Sequence, residues 1–125
     1  MSKRVITDED ILNLSPGRDL DAQIALRVMG FKEITIVGTY YFTDPIDTQL
    51  KSYSTDIKAA WEVVEKLRKQ KIYLDIRVWP NEYQVLPHYD ENNKLKPELV
   101  VKLRSLPEAI CKAAFLSVIG GFSRE

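Results

Sequence analysis

Six side chains in the second half of the sequence combine aromatic rings with positive charge. They are Tyr73, Arg77, Trp79, His88, Lys102 and Arg104. Successive side chains of a strand point to opposite faces, so antiparallel strands in register would gather this set on one face of a sheet. Aromatic rings stack on planar ligands, and guanidinium groups form paired hydrogen bonds with phosphate oxygens. The pattern therefore predicts a binding face for a small, planar, anionic ligand.

Two conditions decide whether this face is available. His88 belongs to it only if the middle strand presents Gln84 and His88 on the same side as Arg77. The face must also be open, and the competing hypothesis is that the N-terminal helices cover it. Because large apolar and aromatic side chains are most often part of the core, Tyr73 and Trp79 would then be packing residues.

Three consecutive aromatic residues, Tyr40, Tyr41 and Phe42, form a second candidate site. They precede a turn signal at 43–45, within a stretch from 39 to 53 that has no clear periodicity. Long irregular loops in compact domains are often functional, and exposed aromatic residues often anchor protein interfaces. The stretch is predicted to be a loop that either contacts a partner protein or buries its rings beneath itself.

No group of residues has the spacing of a known catalytic or metal site. His88 is the only histidine and has no nucleophile beside it, and Cys111 is the only cysteine, within an apolar helical stretch. The acidic residues near the N-terminus are expected to stabilise helix starts. These are Asp8, Glu9, Asp10, Asp19 and Asp21. We expect a protein that binds rather than catalyses, with no metal and no cofactor.

Length and charge limit the remaining classes. The chain has 125 residues, which is enough for a single domain over 1–125. Eighteen basic residues balance eighteen acidic ones, which disfavours binding to duplex nucleic acid. One cysteine allows no disulfide within the chain, and no apolar run is long enough to cross a bilayer, so a cytoplasmic location without a membrane partner is expected.

The first of two longer predicted helices starts at 54–55 and carries an apolar stripe. The stripe consists of Ile57, Ala60, Trp61, Val64 and Leu67. Spacings of three and four residues place such a stripe against a core. On the other side, Glu62–Lys66 and Glu65–Lys69 have the i,i+4 spacing of ion pairs that contribute about 0.3–0.5 kcal/mol each. That side is predicted to be solvated and its charges mutually paired.

Three strands are predicted between the two longer helices. Strict alternation over 72–79 puts the aliphatic side chains on one face, and further strands are predicted at 82–89 and 98–104. The aliphatic side chains of the first strand are Ile72, Leu74, Ile76 and Val78. A capping box at Ser105 and Glu108 starts the last helix. The pattern predicts an α-β-β-β-α unit.

Shorter elements are predicted before this unit. A capping box at 7–10 starts a first short helix. Ser15 is predicted to cap a second helix with Pro16 at its first position, and Gly30 to end it. The β-branched run at 33–37 predicts an edge strand.

Several segments, taken in order and spacing, together suggest a family. They are 14–21, 28–31, 53–56, 67–68 and 107–114, with Trp61. They resemble the phage ABA sandwich domain, a family of small phage and prophage proteins. The resemblance implies an α+β fold, a three-layer α/β/α sandwich with an antiparallel sheet of three or four strands, and it implies no catalytic residue.

The family and the candidate sites lead to two functional hypotheses. By analogy with phage proteins that sequester nucleotide signals of bacterial defence, the first is a non-catalytic anti-defence protein in the host cytoplasm that binds a small anionic ligand. The alternative is an inhibitor or assembly factor that binds a host protein through the 39–53 loop. The sequence does not determine the oligomeric state, and a homo-oligomer stays open.

Overall fold

Four helices and six strands form the described part of the chain, which comprises residues 7–43, 48–88 and 100–118 of a computed structural model. The helices are α1 (Asp8–Leu12), α2 (Arg18–Ile24, continued by a π-helical turn at Ala25–Met29), α3 (Ile57–Lys69) and α4 (Leu106–Val118). The strands are β1 (Ile34–Val37), β2 (Tyr40–Thr43), β3 (Thr48–Gln49), β4 (Tyr73–Val78), β5 (Tyr83–His88) and β6 (Val101–Leu103).

The strands form two antiparallel sheets, with the orders β1-β2-β3 and β4-β5-β6. The α+β sandwich class and the α-β-β-β-α unit are confirmed, because α3, β4, β5, β6 and α4 follow one another as predicted. The ends of the second and third predicted strands, at 89 and 98–99, lie outside the described residues.

The prediction of a loop over 39–53 is wrong where β2 and β3 form, because these two strands belong to the first sheet, β1-β2-β3. β2 pairs with β1 in the register Val37↔Tyr40, across a two-residue turn that starts at Gly38. Gly38 has a φ of 63°, which glycine adopts without steric cost and which tight hairpins require. The aromatic run from Tyr40 favours a strand, and it becomes one because β1 supplies a neighbour to pair with.

The core centres on α4, whose residues from Ala109 to Phe115 are all buried. This helix contacts α3, strands β5 and β6, and the π-helical turn after α2. A helix that is apolar on nearly all sides needs neighbours on nearly all sides. Ser105 accepts a hydrogen bond from the Glu108 N–H at 3.4 Å, in agreement with the predicted cap. The Glu108 carboxylate also pairs with the largely buried Lys112 at 2.7 Å.

The buried side of α3 differs from the predicted stripe. Ala60, Val63 and Leu67 are fully buried, whereas Ile57 and Trp61 are 45% and 47% exposed. This helix contacts α4, and the indole of Trp61 lies half in solvent. The helix also starts later than predicted, because the side chain of Asp56 caps it by accepting the Lys58 N–H at 3.0 Å.

The N-terminal helices agree with the prediction at two of three points. The capping box is confirmed, with Thr7 and Asp10 bonded reciprocally. Gly30 ends the second helix in the left-handed conformation, as predicted. The predicted start at Ser15 is wrong, since α2 begins at Arg18 after Gly17, which has no side chain to cap the helix.

The N-terminal helices and the pair α3 and α4 share one apolar interior. The π-helical turn after α2 packs on α3 and α4, and both of these helices contact the second sheet. Leu74, Ile76 and Val101 on the apolar face of that sheet pack against the core. Within the described residues, no helix combines the length and apolar character that crossing a membrane requires.

Candidate functional site

The second sheet places the predicted basic residues in one row. Arg77 pairs with Gln84, and Gln84 pairs with Lys102, across strands β4, β5 and β6. Directly opposite side chains lie on the same face, with Cβ atoms about 4.5–5.5 Å apart. Tyr73 pairs with His88, which puts both on this same face. The register therefore places these side chains on one face of the sheet, while ligand binding stays a prediction.

This polar face is open at its basic residues. The Arg77 side chain is 63% exposed, and Lys102 and Arg104 are also exposed. The competing hypothesis, in which the N-terminal helices cover these side chains, is therefore wrong for these three. Within the described residues, Arg77 forms an ion pair with Asp75 at 4.0 Å. A solvent-exposed pair at that distance holds the guanidinium only weakly, so Arg77 is able to turn to a ligand.

A second row lies one step nearer the β4–β5 hairpin. Trp79, Glu82 and Arg104 line a shallow cavity of about 350 Å³ at this end of the sheet. The main-chain N–H of Trp79 donates to the main-chain carbonyl of Glu82 at 2.9 Å, which closes the hairpin. Gln84 Nε2 donates to Glu82 Oε2 at 3.0 Å and links the two rows. The cavity therefore offers a half-exposed indole ring, a guanidinium and an oriented carboxylate.

Two of the six predicted residues lie apart from this end. Tyr73 and His88 have ring centroids 6.0 Å apart in a tilted arrangement at the opposite end of the strands. Arg77 is four positions after Tyr73 along β4, so their Cα atoms are about 13 Å apart in an extended strand. One small ligand would not reach both ends, so the structure divides the predicted site into two groups.

The aromatic run at 40–42 also divides. Tyr40 is 60% exposed, whereas Tyr41 and Phe42 are half-buried. The Tyr41 hydroxyl donates to Asp19 Oδ1 at 3.2 Å, and the guanidinium of Arg18 lies 5.9 Å from the centre of its ring. The negative charge of Asp19 is the main reason that the pKa of Tyr41 is raised. Tyr41 thus serves contacts within the chain, and Tyr40 alone of the three is largely exposed.

Two of the cavities that sequence reasoning missed have mainly apolar walls. One, of about 480 Å³, lies between the first two helices and the β1–β2 hairpin, where Asp10, Asp19 and Tyr41 meet apolar side chains. The other, of about 540 Å³, lies along α3 beside Trp61 and Met29. Neither has a local signal, because the first depends on a hairpin predicted as a loop and the second on a tryptophan predicted as buried.

The remaining chemical candidates have structural roles. Cys111 is fully buried, and burial raises the pKa of its thiol well above the usual range. A buried neutral thiol is a poor nucleophile. Asp21 was predicted to stabilise a helix start. In the structure it is buried and also binds Ser54 and Arg18. In the described ranges, no group of three or more His, Cys, Asp or Glu side chains has the arrangement of a metal site.

Comparison with known proteins agrees with this architecture. The family model described as "Phage ABA sandwich domain" matches residues 22–115. The chain belongs to the phage ABA sandwich domain family. This phage ABA sandwich protein is also similar to a solved structure, the "2.0 A Crystal Structure of a Phage Protein from Bacillus cereus ATCC 14579", at 28% sequence identity and a TM-score of 0.56. That match covers 84% of this chain and 93% of the other. Among curated proteins, the comparison found no match.

The family match bears on origin rather than on mechanism. Both findings describe phage proteins and support a phage-encoded protein. Neither description names a ligand, a reaction or a partner. The face formed by Arg77, Trp79, Lys102 and Arg104 therefore has to be interpreted from its own chemistry.

Proposed function

We propose that this phage-encoded protein acts by binding, without catalysis, and that it sequesters a small, planar, anionic ligand of the nucleotide type. The observation that carries the proposal is the exposed row Arg77–Gln84–Lys102, with Trp79 and Arg104 one step beyond it. Sequestration of a nucleotide signal would make it an anti-defence accessory protein acting in the cytoplasm of the bacterial host.

The two rows suit a ligand of this size. Adjacent strands lie about 4.8 Å apart and successive side chains on one face about 7 Å apart, so the two rows cover roughly 10 by 7 Å. In this arrangement the Trp79 ring stacks on a base, and Arg77 and Arg104 donate to phosphate oxygens. Glu82 accepts hydrogen bonds from amino groups of the base, which favours a nucleotide over inorganic phosphate. We give Tyr73 and His88 no part in the site, because they lie at the far end of the strands.

A thermal-shift panel of nucleoside monophosphates, nucleoside triphosphates and cyclic dinucleotides tests the proposal. A ligand that binds only the native state stabilises it by about 4 kcal/mol at a thousandfold excess over Kd, so one class should raise the Tm by several degrees. Arg77→Ala and Arg104→Ala should each remove that rise. Arg68→Ala is the matched control, because this arginine is equally exposed but lies on α3.

Two results would contradict the ligand proposal. The first is a melting curve that no nucleotide class shifts. The second is a shift that persists in the Arg77→Ala and Arg104→Ala proteins, which would place the ligand elsewhere.

A second candidate function rests on the β1–β2 hairpin. Val37 and Tyr40, here called the hairpin patch, lie opposite each other and are each more than half exposed at its tip. β1 is also the outer strand of its sheet, and exposed strand edges are sites where a partner strand adds. We propose a host protein as the partner of this alternative. Val37→Glu should remove a host protein identified by affinity capture and mass spectrometry, whereas Arg77→Ala should not.

A further inference from the structure

The outer side of α3 has a groove that neither proposed function uses. Its apolar floor consists of the exposed indole of Trp61 and the side chain of Met29 from the π-helical turn, and its volume is about 540 Å³. Lysines and glutamates of α3 form its rim. We call this the Trp61 groove. Aromatic side chains in such apolar depressions are typical anchors of protein interfaces.

The two glutamates on the rim are engaged outside the groove. Glu62 accepts both hydrogen bonds of Lys51 Nζ, at 2.8 and 2.9 Å. Glu65 accepts a hydrogen bond from Arg68 at 2.9 Å. Each glutamate of the rim is therefore paired with a cation that does not itself line the groove.

The lysines on the rim are left without acidic partners. The predicted pairs of Glu62 with Lys66 and of Glu65 with Lys69 are wrong, because both glutamates bind other cations. Among the described residues, Lys58, Lys66 and Lys69 have no ion pair within 4.0 Å. The groove is thus apolar at its floor and positively charged at its rim.

The positive rim is long compared with a small ligand. Lys58 and Lys69 are eleven residues apart on one straight helix, which separates their Cα atoms by about 16 Å. An extended peptide advances about 3.3 Å per residue, so five or six residues reach from one lysine to the other. A single aromatic anion would reach only one of them.

We propose that the Trp61 groove docks an acidic, extended segment of a partner protein. Acidic side chains of the segment contact Lys58, Lys66 and Lys69, and one apolar side chain lies against Trp61 and Met29. The charge complementarity of the rim selects an acidic partner and speeds its association, while the apolar floor supplies most of the affinity.

In a single-tryptophan variant, the fluorescence of Trp61 reports binding in the groove. The chain has two tryptophans, so Trp79→Phe leaves Trp61 as the only indole. The probe is a synthetic heptapeptide of alternating glutamate and leucine, and the matched control peptide has lysine in place of glutamate. The acidic peptide should change Trp61 emission saturably and bind more weakly at higher salt, because the contacts are exposed ion pairs.

Charge reversal tests the position of the peptide. Lys66→Glu combined with Lys69→Glu should weaken the acidic peptide by about tenfold or more. Lys102→Glu, on the second sheet, should change the affinity less than about twofold. Far-UV circular dichroism and a thermal melt of each variant show that the change is not caused by unfolding.

Five outcomes would overturn the proposal. They are no saturable change up to about 1 mM peptide, equal binding of the lysine peptide, and unchanged binding after both charge reversals. The fourth is self-association, measured by sedimentation velocity, that the charge reversals abolish, since it would assign the groove to a second copy of this chain. Benzoate serves as the small-molecule arm, and a response equal to that of the peptide would likewise overturn an extended partner segment.

Discussion

Asp21 and Ser54 are joined by two short hydrogen bonds in the interior of the protein. Asp21 Oδ1 accepts the Ser54 hydroxyl at 2.6 Å and the Ser54 N–H at 2.7 Å. Asp21 Oδ2 accepts Arg18 Nη1 at 3.0 Å, and Arg18 Nη2 reaches the Leu50 carbonyl at 2.6 Å. The Ser54 hydroxyl oxygen also accepts the Gly17 N–H at 2.9 Å. This network fastens the segment before α3 to the start of α2.

Removal of the Asp21 carboxylate should destabilise the protein strongly. Asp21→Ala leaves the buried Ser54 N–H without its acceptor and Arg18 without its carboxylate partner, and we expect the free energy of unfolding to fall by about 3–5 kcal/mol. Urea unfolding at neutral pH measures this change. Asp75→Ala is the control and should cost less than about 1 kcal/mol, because its pair with Arg77 is exposed. A loss below about 1 kcal/mol for Asp21→Ala would contradict the structural role of the network.

The two faces of α3 should respond differently to truncation. Leu67→Ala removes a fully buried side chain and should cost about 2–5 kcal/mol. Trp61→Ala removes a half-exposed ring and should cost less, even though tryptophan is the larger side chain. Chemical denaturation of the two variants gives the comparison. If Trp61→Ala were the more destabilising of the two, the indole would belong to the core after all.

Tyr53 should make the protein sensitive to alkaline pH. Its ring is buried, and burial is the main reason that the pKa of its hydroxyl is raised to about 12. The unfolded chain releases this proton near pH 10, so the folded state holds more protons between pH 10 and pH 12. The contribution of Tyr53 to stability is therefore constant below pH 10 and falls by about 2–3 kcal/mol as the pH rises to 12.

The variant Tyr53→Phe isolates this effect from other titrating groups. It should match the original protein at pH 7 and lose less stability between pH 10 and pH 12. The measurement is the free energy of urea unfolding against pH for both proteins. Parallel curves would show that Tyr53 does not titrate differently on folding.

Cys111 should not react in the native protein. The side chain is fully buried and burial raises the pKa of its thiol, so both access and thiolate are lacking. A disulfide reagent such as 5,5′-dithiobis(2-nitrobenzoate) should label it rapidly in urea and only at the rate of opening without urea. Stoichiometric labelling of native protein on mixing would contradict this placement.

Much of the second sheet follows from local pattern. The alternation over 72–79 assigns Ile72, Leu74 and Ile76 to one face and Arg77 to the other, because successive residues of any strand point in opposite directions. The core needs one apolar face, so a register shift of one residue would expose it. Pattern alone therefore predicted that Tyr73 and Trp79 share a face with Arg77, whereas the register of β5 and β6 decided that His88 and Lys102 join them.

The first sheet and the flank of α3 depended on tertiary packing. Tyr40, Tyr41 and Phe42 had no assigned neighbour in the sequence, and they became a strand because β1 pairs with them. Trp61 has the spacing of a core residue, but the buried side of α3 carries Ala60 and Val63, and the indole is half exposed.

What the sequence by itself determined is therefore the set of elements from α3 to α4 and the division of β4 into an apolar and a polar face. These follow from the two-residue period of strands and the three-to-four-residue period of helices. Both periods can be seen within a short segment of sequence. Only the tertiary structure decided that Asp21 bonds with Ser54, thirty-three residues away. It also decided that Glu62 pairs with Lys51 and not with Lys66. Contacts between distant elements depend on packing and not on local spacing.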